Sequence, residues 1–465
     1  MNYDKLLEPQ KKHALSLLNS IYFNGFAFDP SPTGTGKTYS ASWVAQNLNL
    51  PVVVICPKAG RKTWRDTMAI FNVKPHTIIN YEKLVRGNTE HYAFDKKEYV
   101  NSKWWWESKG ILIKFPKNAF VIIDECHKCK GHKSKNGEML TALKNNGYKI
   151  LLVSATAATM VTEMKSFGFV TQLHNGKNYY HFAKDHGAEN DRFGGLTFSR
   201  DNTKAKQGMV KIHNQLFNLQ QCASKMRIED FGDIFPDNHV IAESFDLGED
   251  NDKLQKVYDT MQEEIAKLDE RAANYSSHVF AVIMKARRLS ELCKVPVTTE
   301  WIIDQYEEGN SPVAFFNFTD SLESVEAKLV KRYGSDIICK IVGGQSEKSR
   351  DRLIQDFAED KRRIALVNMD AGSAVISLHD LNGNYPRSSL LCPSWSAIRT
   401  KQALGRIYRA NGKTKCVQKF LFASEIEERQ RVRVQMKLQN ISELNNGEID
   451  LDDNDLTLVD MAQMQ

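Results

Sequence analysis

Eight short apolar runs, arranged in two blocks, set the strongest limit on how this chain folds. The first block holds Pro51–Cys56, Thr77–Tyr81, Phe120–Asp124 and Lys149–Ser154. The second holds Val313–Phe318, Asp336–Val342, Arg363–Asn368 and Ser389–Pro393. Each is aliphatic or β-branched without polar alternation, so both faces of each strand must be buried, which calls for a parallel sheet covered by helices. Two such blocks in 465 residues predict two α/β domains. Between them Leu254, Val257, Met261, Ile265 and Leu268 follow helical spacing, and a second helix is expected over 277–294. That helix carries Lys285, Arg287 and Arg288, as a solvated face or as a phosphate contact.

The most specific motif is Ser31-Pro-Thr-Gly-Thr-Gly-Lys-Thr38. Phe26–Asp29 reads as a short strand before it, and Ala41, Val44, Ala45 and Leu48 as a helical stripe after it. A glycine-rich turn between strand and helix points successive backbone N–H groups at phosphate oxygens, at the positive end of the helix. Thr33, Gly34, Thr35 and Gly36 then form an ATP cradle, Lys37 reaches the β- and γ-phosphates, and the Thr38 hydroxyl ligates Mg²⁺. Ser31 stands where a glycine usually opens the loop.

Phe120-Val-Ile-Ile-Asp-Glu-Cys-His127 supplies the complement, a buried strand ending in two acids. Asp124 is placed to hold the Mg²⁺ shell and Glu125 to orient and deprotonate the attacking water. Cys126 and Cys129 have the spacing of a zinc half-site, with His127 and His132 nearby, yet no second ligand pair follows. The acidic box accounts for Cys126 and His127 without a metal. Val342-Gly-Gly-Gln-Ser346 superficially matches a transporter signature loop, but it follows the Asp124–Glu125 pair by more than 200 residues, on the wrong side for that class.

Taken in order, these residues resemble the superfamily 2 helicases and translocases, over almost the whole chain from Leu7 to about Phe422. Asp124-Glu-Cys-His127 is similar to the DExH box, and Ser154-Ala-Thr156 to the motif that couples hydrolysis to strand contact, with His127 joining it. Leu7-Glu-Pro-Gln10 resembles the adenine-recognition element, which implies that Gln10 binds the base. Cys56-Pro-Lys58, Arg61 and Trp64 resemble the first nucleic-acid-contacting segment, and Asn80-Tyr81-Glu82 a further motif of that domain. Gly343-Gly-Gln345, with the helix expected over 346–360, resembles the fourth motif region, another strand contact. Asp370–Asp380 resembles the fifth, with Gly372 toward ATP, and Gln402-Ala-Leu-Gly-Arg-Ile-Tyr-Arg409 the sixth.

The resemblance implies two RecA-like domains with parallel sheets, an interdomain ATP cleft and a helical insertion. Its domains fall at 1–240, 241–295 and 296–440, with an acidic flexible tail at 441–465. Glu125, Gln402, Arg406 and Arg409 are then catalytic, the two arginines as fingers toward the γ-phosphate. The branch resembled is the Swi/Snf-like one, with related phage or viral helicases, because Lys128 follows the box and some 150 residues separate Thr156 from Val313. ATP, Mg²⁺ and a nucleic acid, duplex or branched DNA ahead of RNA, are the expected ligands. A strand-separating DNA or RNA helicase, or an ATP-gated subunit without turnover, are the competing readings.

Charge supports a polyanion partner. The chain carries +6, but Glu443–Gln465 holds seven acids and no Lys or Arg, which leaves +13 on the rest. No run approaches 18 apolar residues and eight scattered cysteines make no disulfide framework, so a soluble intracellular protein without membrane contact is expected. In Lys103-Trp-Trp-Trp-Glu107 the three rings cannot all enter one core, so the run either packs on an insertion or partner or stacks on bases.

Overall fold

The structure, a computed structural model, describes residues 3–85, 92–93, 99–100, 103–104, 112–131, 134–190, 196–198, 202–268, 275–372, 376–392, 394, 396–424, 427, 444–445 and 459–460. Trp105 and Trp106 lie outside the described residues, so the tryptophan run has no structural account. The chain divides into two compact units, Met1–Gly232 with Lys437–Leu451, and Asp233–Met436 with Asp452–Gln465.

The first unit is built on a five-stranded sheet. Its elements are α1 (Glu8–Asn24), β1 (Phe26–Asp29), α2 (Lys37–Leu48), β2 (Val52–Cys56), α3 (Arg61–Ile70), β3 (Thr77–Asn80), β4 (Phe120–Asp124), α4 (Lys135–Asn145), β5 (Lys149–Val153) and α5 (Asn202–His213). The strands run in the order β1-β5-β4-β2-β3, all parallel. Side chains alternate across the sheet and fill two cores. Phe26, Phe28, Val53, Ile55, Val121 and Ile123 meet Met139, Leu140 and Leu143 of α4 on one face. Ala27, Val52, Val54, Phe120 and Ile122 meet Leu17, Ile21, Trp43 and Val44 of α1 and α2 on the other. The uninterrupted apolar character of these runs follows from burial on both faces. The order also sets the carboxyl ends of β1, β5 and β4 side by side, where ligands bind in such sheets.

Two excursions complete this unit. Segment 222–226 runs along the free edge of β1: Phe28 N–H donates to Cys222 O at 2.8 Å, and Ser224 N–H to Phe28 O at 3.0 Å. From the far end of the chain, Leu444 is fully buried in the same core as Phe26 and Phe28. Its carbonyl lies 2.9 Å from His213 Nδ1, and Asn445 Nδ2 donates to Ala155 O at 3.0 Å. These two residues fall in the stretch expected to be a free acidic tail; an apolar side chain with a core to enter holds them in place.

The second unit carries β6 (Asn238–Ser244), α6 (Asp250–Ala266), α7 (Tyr275–Cys293), α8 (Val295–Glu307), β7 (Ser311–Phe316), α9 (Thr319–Tyr333), β8 (Ile338–Ile341), α10 (Glu347–Ala358), β9 (Ile364–Asn368), β10 (Arg387–Leu391), α11 (Ala397–Leu404), β11 (Cys416–Phe422) and β12 (Val459–Asp460). Its strands run β8-β9-β7-β10-β11-β6-β12, again all parallel. Val313 and Phe315 face one core, Ala314 and Phe316 the other. The molecule is thus an α/β protein with two RecA-like parallel sheets. Strand β6 straddles the boundary expected at residue 240 and pairs with β11 of the second sheet. Among the basic residues of α7, Lys285 pairs with Glu264 at 2.7 Å and Arg288 with Asp320.

Candidate nucleotide-hydrolysis site

The glycine-rich loop leaves β1 and enters α2 as the spacing predicts. Gly34 and Gly36 adopt φ of 89° and 84°, a region open to glycine and costly for other residues. A side chain at Gly36 would also strike Gln10 Nε2, 2.2 Å from an added Cβ. Lys37 Nζ folds back on the loop and donates to Ser31 O and Pro32 O, each at 2.8 Å. Thr35 Oγ1 donates to Pro32 O at 2.9 Å, and its carbonyl accepts from Gln10 Nε2 at 3.0 Å. Gln10 Oε1 in turn accepts the Leu7 N–H at 2.9 Å. One end of that amide therefore braces the loop backbone and the other the start of α1, and the side chain is buried. Thr33 and Thr38 are half-buried, Thr38 in the first turn of α2.

At the end of β4 the backbone turns sharply. Glu125 takes φ 55° and ψ 52°, a left-handed conformation that costs a non-glycine residue about 1–3 kcal/mol. Tyr81 holds this corner: its hydroxyl donates to Asp124 O at 2.6 Å and to Glu125 O at 3.5 Å. The Asp124 carboxylate accepts the Trp64 indole N–H at 2.8 Å. Burial first, and then the neighbouring Glu125 carboxylate, push the Asp124 pKa up to about 7. An acid so raised gains strongly from a cation, which neutralises the buried charge.

Glu125, His127 and Ser154 form a triangle. His127 Nδ1 lies 3.2 Å from Glu125 Oε2 and 3.2 Å from Ser154 Oγ, and Ser154 Oγ donates to Glu125 Oε2 at 3.4 Å. The Thr156 N–H donates to Ser154 Oγ at 3.2 Å. The strand-end acid and the segment after β5 are therefore wired together across two strands that pair directly. Cys126 and Cys129 point into the core, and burial pushes the Cys129 thiol up to about 12.

The donor set fits a magnesium nucleotide. Asp124 and Thr38 offer hard oxygen ligands, and among the described residues no group of three or more His, Cys, Asp or Glu could hold a metal alone. Mg²⁺ is characteristically held by one or two carboxylates together with substrate phosphates and water. Lys37 Nζ stays on the loop itself, resting on the Ser31 and Pro32 carbonyls.

Trp64 corrects the expectation of a nucleic-acid contact. It is 1% exposed, because α3 turns Trp64 and Met68 inward, so its role is to support Asp124. Lys58, Lys62 and Arg65 are exposed around it, and Arg61 is half-buried with Nε on Lys58 O at 3.3 Å.

Within the second unit the expected residues lie in two neighbourhoods. Gln345 closes its own turn: Oε1 accepts the Val342 N–H at 3.1 Å and Nε2 donates to Lys340 O at 2.9 Å, with Gly343 exposed beside it. Gly372 ends the short helix Met369–Gly372, and Asn368 Oδ1 accepts the Asp370 N–H at 3.0 Å. Gln402 is buried on α11. Arg406 is 2% exposed and donates to Ile376 O at 3.2 Å, while its carbonyl accepts the Leu378 N–H at 2.9 Å. The fifth and sixth segments are therefore stitched together through Arg406. Arg409 is more open, with Nε on Gly405 O at 3.0 Å. Burial, and then Arg409 and Arg387, push the His379 pKa down to about 4.

Residues that sequence reasoning assigned no role complete the site. Tyr81 was noted only as part of a motif. Asp29, at the end of β1, accepts the Ser31 N–H at 2.9 Å and faces His13 Nε2 at 3.1 Å. Its position before the loop was the available signal; the partner 16 residues upstream was not foreseeable.

Residues 288–411 match the helicase conserved C-terminal domain. The chain is 28% identical over 461 residues to a protein of Acanthamoeba polyphaga mimivirus provisionally named an ATP-dependent RNA helicase, a match spanning 96% of this chain and 84% of that protein. Two further relatives match over shorter stretches. A SWI/SNF-related regulator of chromatin, subfamily A-like protein 1, of Drosophila melanogaster is 28% identical over 27% of this chain and 16% of its own length. The DNA repair and recombination protein RAD54 of Saccharomyces cerevisiae is 29% identical over 28% of this chain and 14% of its own. Among solved structures, S. cerevisiae Dbp5 bound to RNA and ADP BeF3 aligns with 94% of this chain and 93% of its own, at 11% identity and a TM-score of 0.48. Among the described residues no helix is long and apolar enough to cross a membrane. Residues 288–411 thus match a helicase conserved C-terminal domain, and the chain is an ATP-hydrolysing enzyme similar to helicases over most of its length.

Proposed function

We propose that the chain is an ATP-driven motor that moves along duplex or branched DNA. The observation that carries the ATPase part is the convergence, in the first unit, of Lys37 on the phosphate loop with Asp124, Glu125, His127 and Ser154. In this reading Lys37 leaves the carbonyls of Ser31 and Pro32 for the β- and γ-phosphates. Thr38 and Asp124 would hold Mg²⁺, which would supply positive charge against the phosphate oxygens. Glu125 orients the attacking water and takes its proton, and the strained backbone at Glu125 keeps that carboxylate aimed. The His127–Ser154 contacts then pass the state of the acid to Thr156 and the segment that follows.

Arg409 supplies a guanidinium from the second unit to the transition state, worth roughly 10³–10⁵ in rate. Arg406, engaged with Ile376 O, holds the backbone that presents it. Exposed Lys58, Lys62 and Arg65 belong to a backbone-reading track, which is sequence-independent and salt-sensitive. The acidic stretch near the C-terminus is a competitor for that track.

DNA is favoured by the two relatives that match over short stretches, whose names concern chromatin and DNA repair and whose matches cover roughly a quarter of this chain. RNA strand separation is the second reading, favoured by the name of the mimivirus relative, which matches 96% of the chain. ATPase rates with duplex DNA, forked DNA, single-stranded DNA and RNA decide between them. Duplex or forked DNA is expected to give the highest kcat, and RNA at the top of the ranking would overturn the DNA reading. Lys37→Ala is expected to abolish turnover with every nucleic acid; residual turnover at wild-type level would remove the loop from the mechanism. Arg409→Ala is expected to keep nucleotide affinity and lower kcat by about 10³ or more, measured by single-turnover hydrolysis.

A further inference from the structure

Ser31 replaces the glycine that usually opens such a loop, and each of its polar groups has a partner. Its N–H donates to Asp29 Oδ1 at 2.9 Å, and its carbonyl accepts from Lys37 Nζ at 2.8 Å. Its hydroxyl, fully buried, accepts the Met226 N–H at 2.9 Å across 195 residues of sequence. Only a residue with a short side-chain oxygen makes that last contact; glycine would leave a buried N–H without it, at a cost of about 1–3 kcal/mol.

Met226 belongs to segment 222–226, which is fixed along β1 through Cys222 and Ser224. A second tie joins the same segment to the same acid. His13 is buried with Nδ1 2.9 Å from Ser224 Oγ and Nε2 3.1 Å from Asp29 Oδ2. Burial by itself would raise the Asp29 pKa, but facing His13 and Lys37 holds it below the ordinary carboxylate range. Asp29 therefore stays ionised and anchors both the loop and the segment. Shortly after Met226, at Gly232, the chain leaves the first unit and enters the second.

We propose that Ser31 is a positioning residue that latches the phosphate loop to segment 222–226, so that filling the phosphate site is relayed to the chain's passage into the second unit. The proposal rests on the reading of this loop as the ATP site. A triphosphate draws Lys37 off the Ser31 and Pro32 carbonyls, which removes one of the three ties on Ser31. The loop entry resettles on the remaining two, and the hydroxyl carries that movement to Met226.

The test is hydrogen–deuterium exchange of the full chain, with and without a non-hydrolysable ATP analogue and Mg²⁺, read at peptides covering 220–232. In the wild type the analogue is expected to change exchange there as well as at the loop. Ser31→Gly, which restores the usual glycine, and Ser31→Ala are expected to bind the analogue within about threefold of wild type. Both are expected to lose the response at 220–232, and nucleic-acid stimulation of kcat is expected to fall about tenfold.

A hydroxyl that merely packs would lower Tm and leave the response intact, and that result overturns the latch. Analogue binding by the wild type with 220–232 silent also overturns the latch while sparing the ATP site; absent binding by the wild type overturns both. Should these variants not fold, Ser31→Thr decides, since it keeps a short side-chain oxygen for the Met226 N–H. A retained response at 220–232 supports the latch, and a lost response overturns it.

Discussion

The two sheets end in opposite ways. In the first unit, the helix that follows β1 begins behind a glycine-rich loop, with Gly36 at its cap and no side chain hydrogen-bonded there. In the second, α9 follows β7 directly, and the corresponding donors already have an acceptor. The Glu291 carboxylate takes the Asn317 N–H at 3.0 Å, the Asn317 side-chain amide at 2.8 Å and the Phe318 N–H at 3.0 Å. A built-in carboxylate thus sits at the helix start in one unit, at the place where the proposed reading puts phosphate in the other. Burial raises the Glu291 pKa, while those donors and Lys294 favour its charge. Parallel strands alone therefore do not make a nucleotide site. What decides is whether the chain supplies its own anion.

The comparison can be broken at several points. The largest effect is expected in the first unit, where Glu125→Gln keeps the shape of the site and removes the base. A fall in kcat of about 10²–10⁴ with nucleotide affinity retained is expected, measured by single-turnover hydrolysis; unchanged kcat would assign the proton transfer elsewhere. In the second unit Glu291→Ala removes the acceptor of three part-buried hydrogen bonds and should cost about 3 kcal/mol in unfolding free energy, read by denaturant titration. An unperturbed midpoint would mean that water replaces the carboxylate and that the contrast between the units is shallow. The smallest effect is expected at Trp64→Phe, which keeps an aromatic ring but removes the indole N–H and its charge-assisted hydrogen bond to Asp124. A loss of about 1.5–3 kcal/mol in Mg²⁺-dependent nucleotide affinity is expected, with nucleic-acid affinity unaltered. The reverse pattern would return Trp64 to the nucleic-acid face.

Much of this architecture was legible because it is written in local patterns. All eight apolar runs contain strands, since continuous β-branched stretches bounded by turns have few other outcomes. The helix expected over 346–360 appears as Glu347–Ala358, with Ser346 capping it through the Ser349 N–H. Strand β6 was hidden because Asn238–Ser244 mixes polar and apolar residues, as a strand near a sheet edge can. Trp64 was misplaced by its basic neighbours, although Trp64, Met68 and Phe71 already spell a buried helical stripe. His13, Ser224 and Met226 were out of reach, because their contacts with the loop region join residues too far apart for any spacing rule to relate. What sequence could not disclose was which strand end is already occupied.

Leu444 gives truncation experiments a different meaning. Removing residues 443–465 would seem to strip only negative charge from the end of the chain. It would also empty a site in the core of the first unit and detach Asn445 from the carbonyl of Ala155. A shortened chain that loses ATPase activity would therefore report a wound in the engine, even if the acidic stretch never touches nucleic acid. Replacing Glu448, Asp450, Asp452, Asp453 and Asp455 by Gln and Asn in the full chain separates the two, since it spares both buried residues and the pairing of Val459–Asp460 with β6.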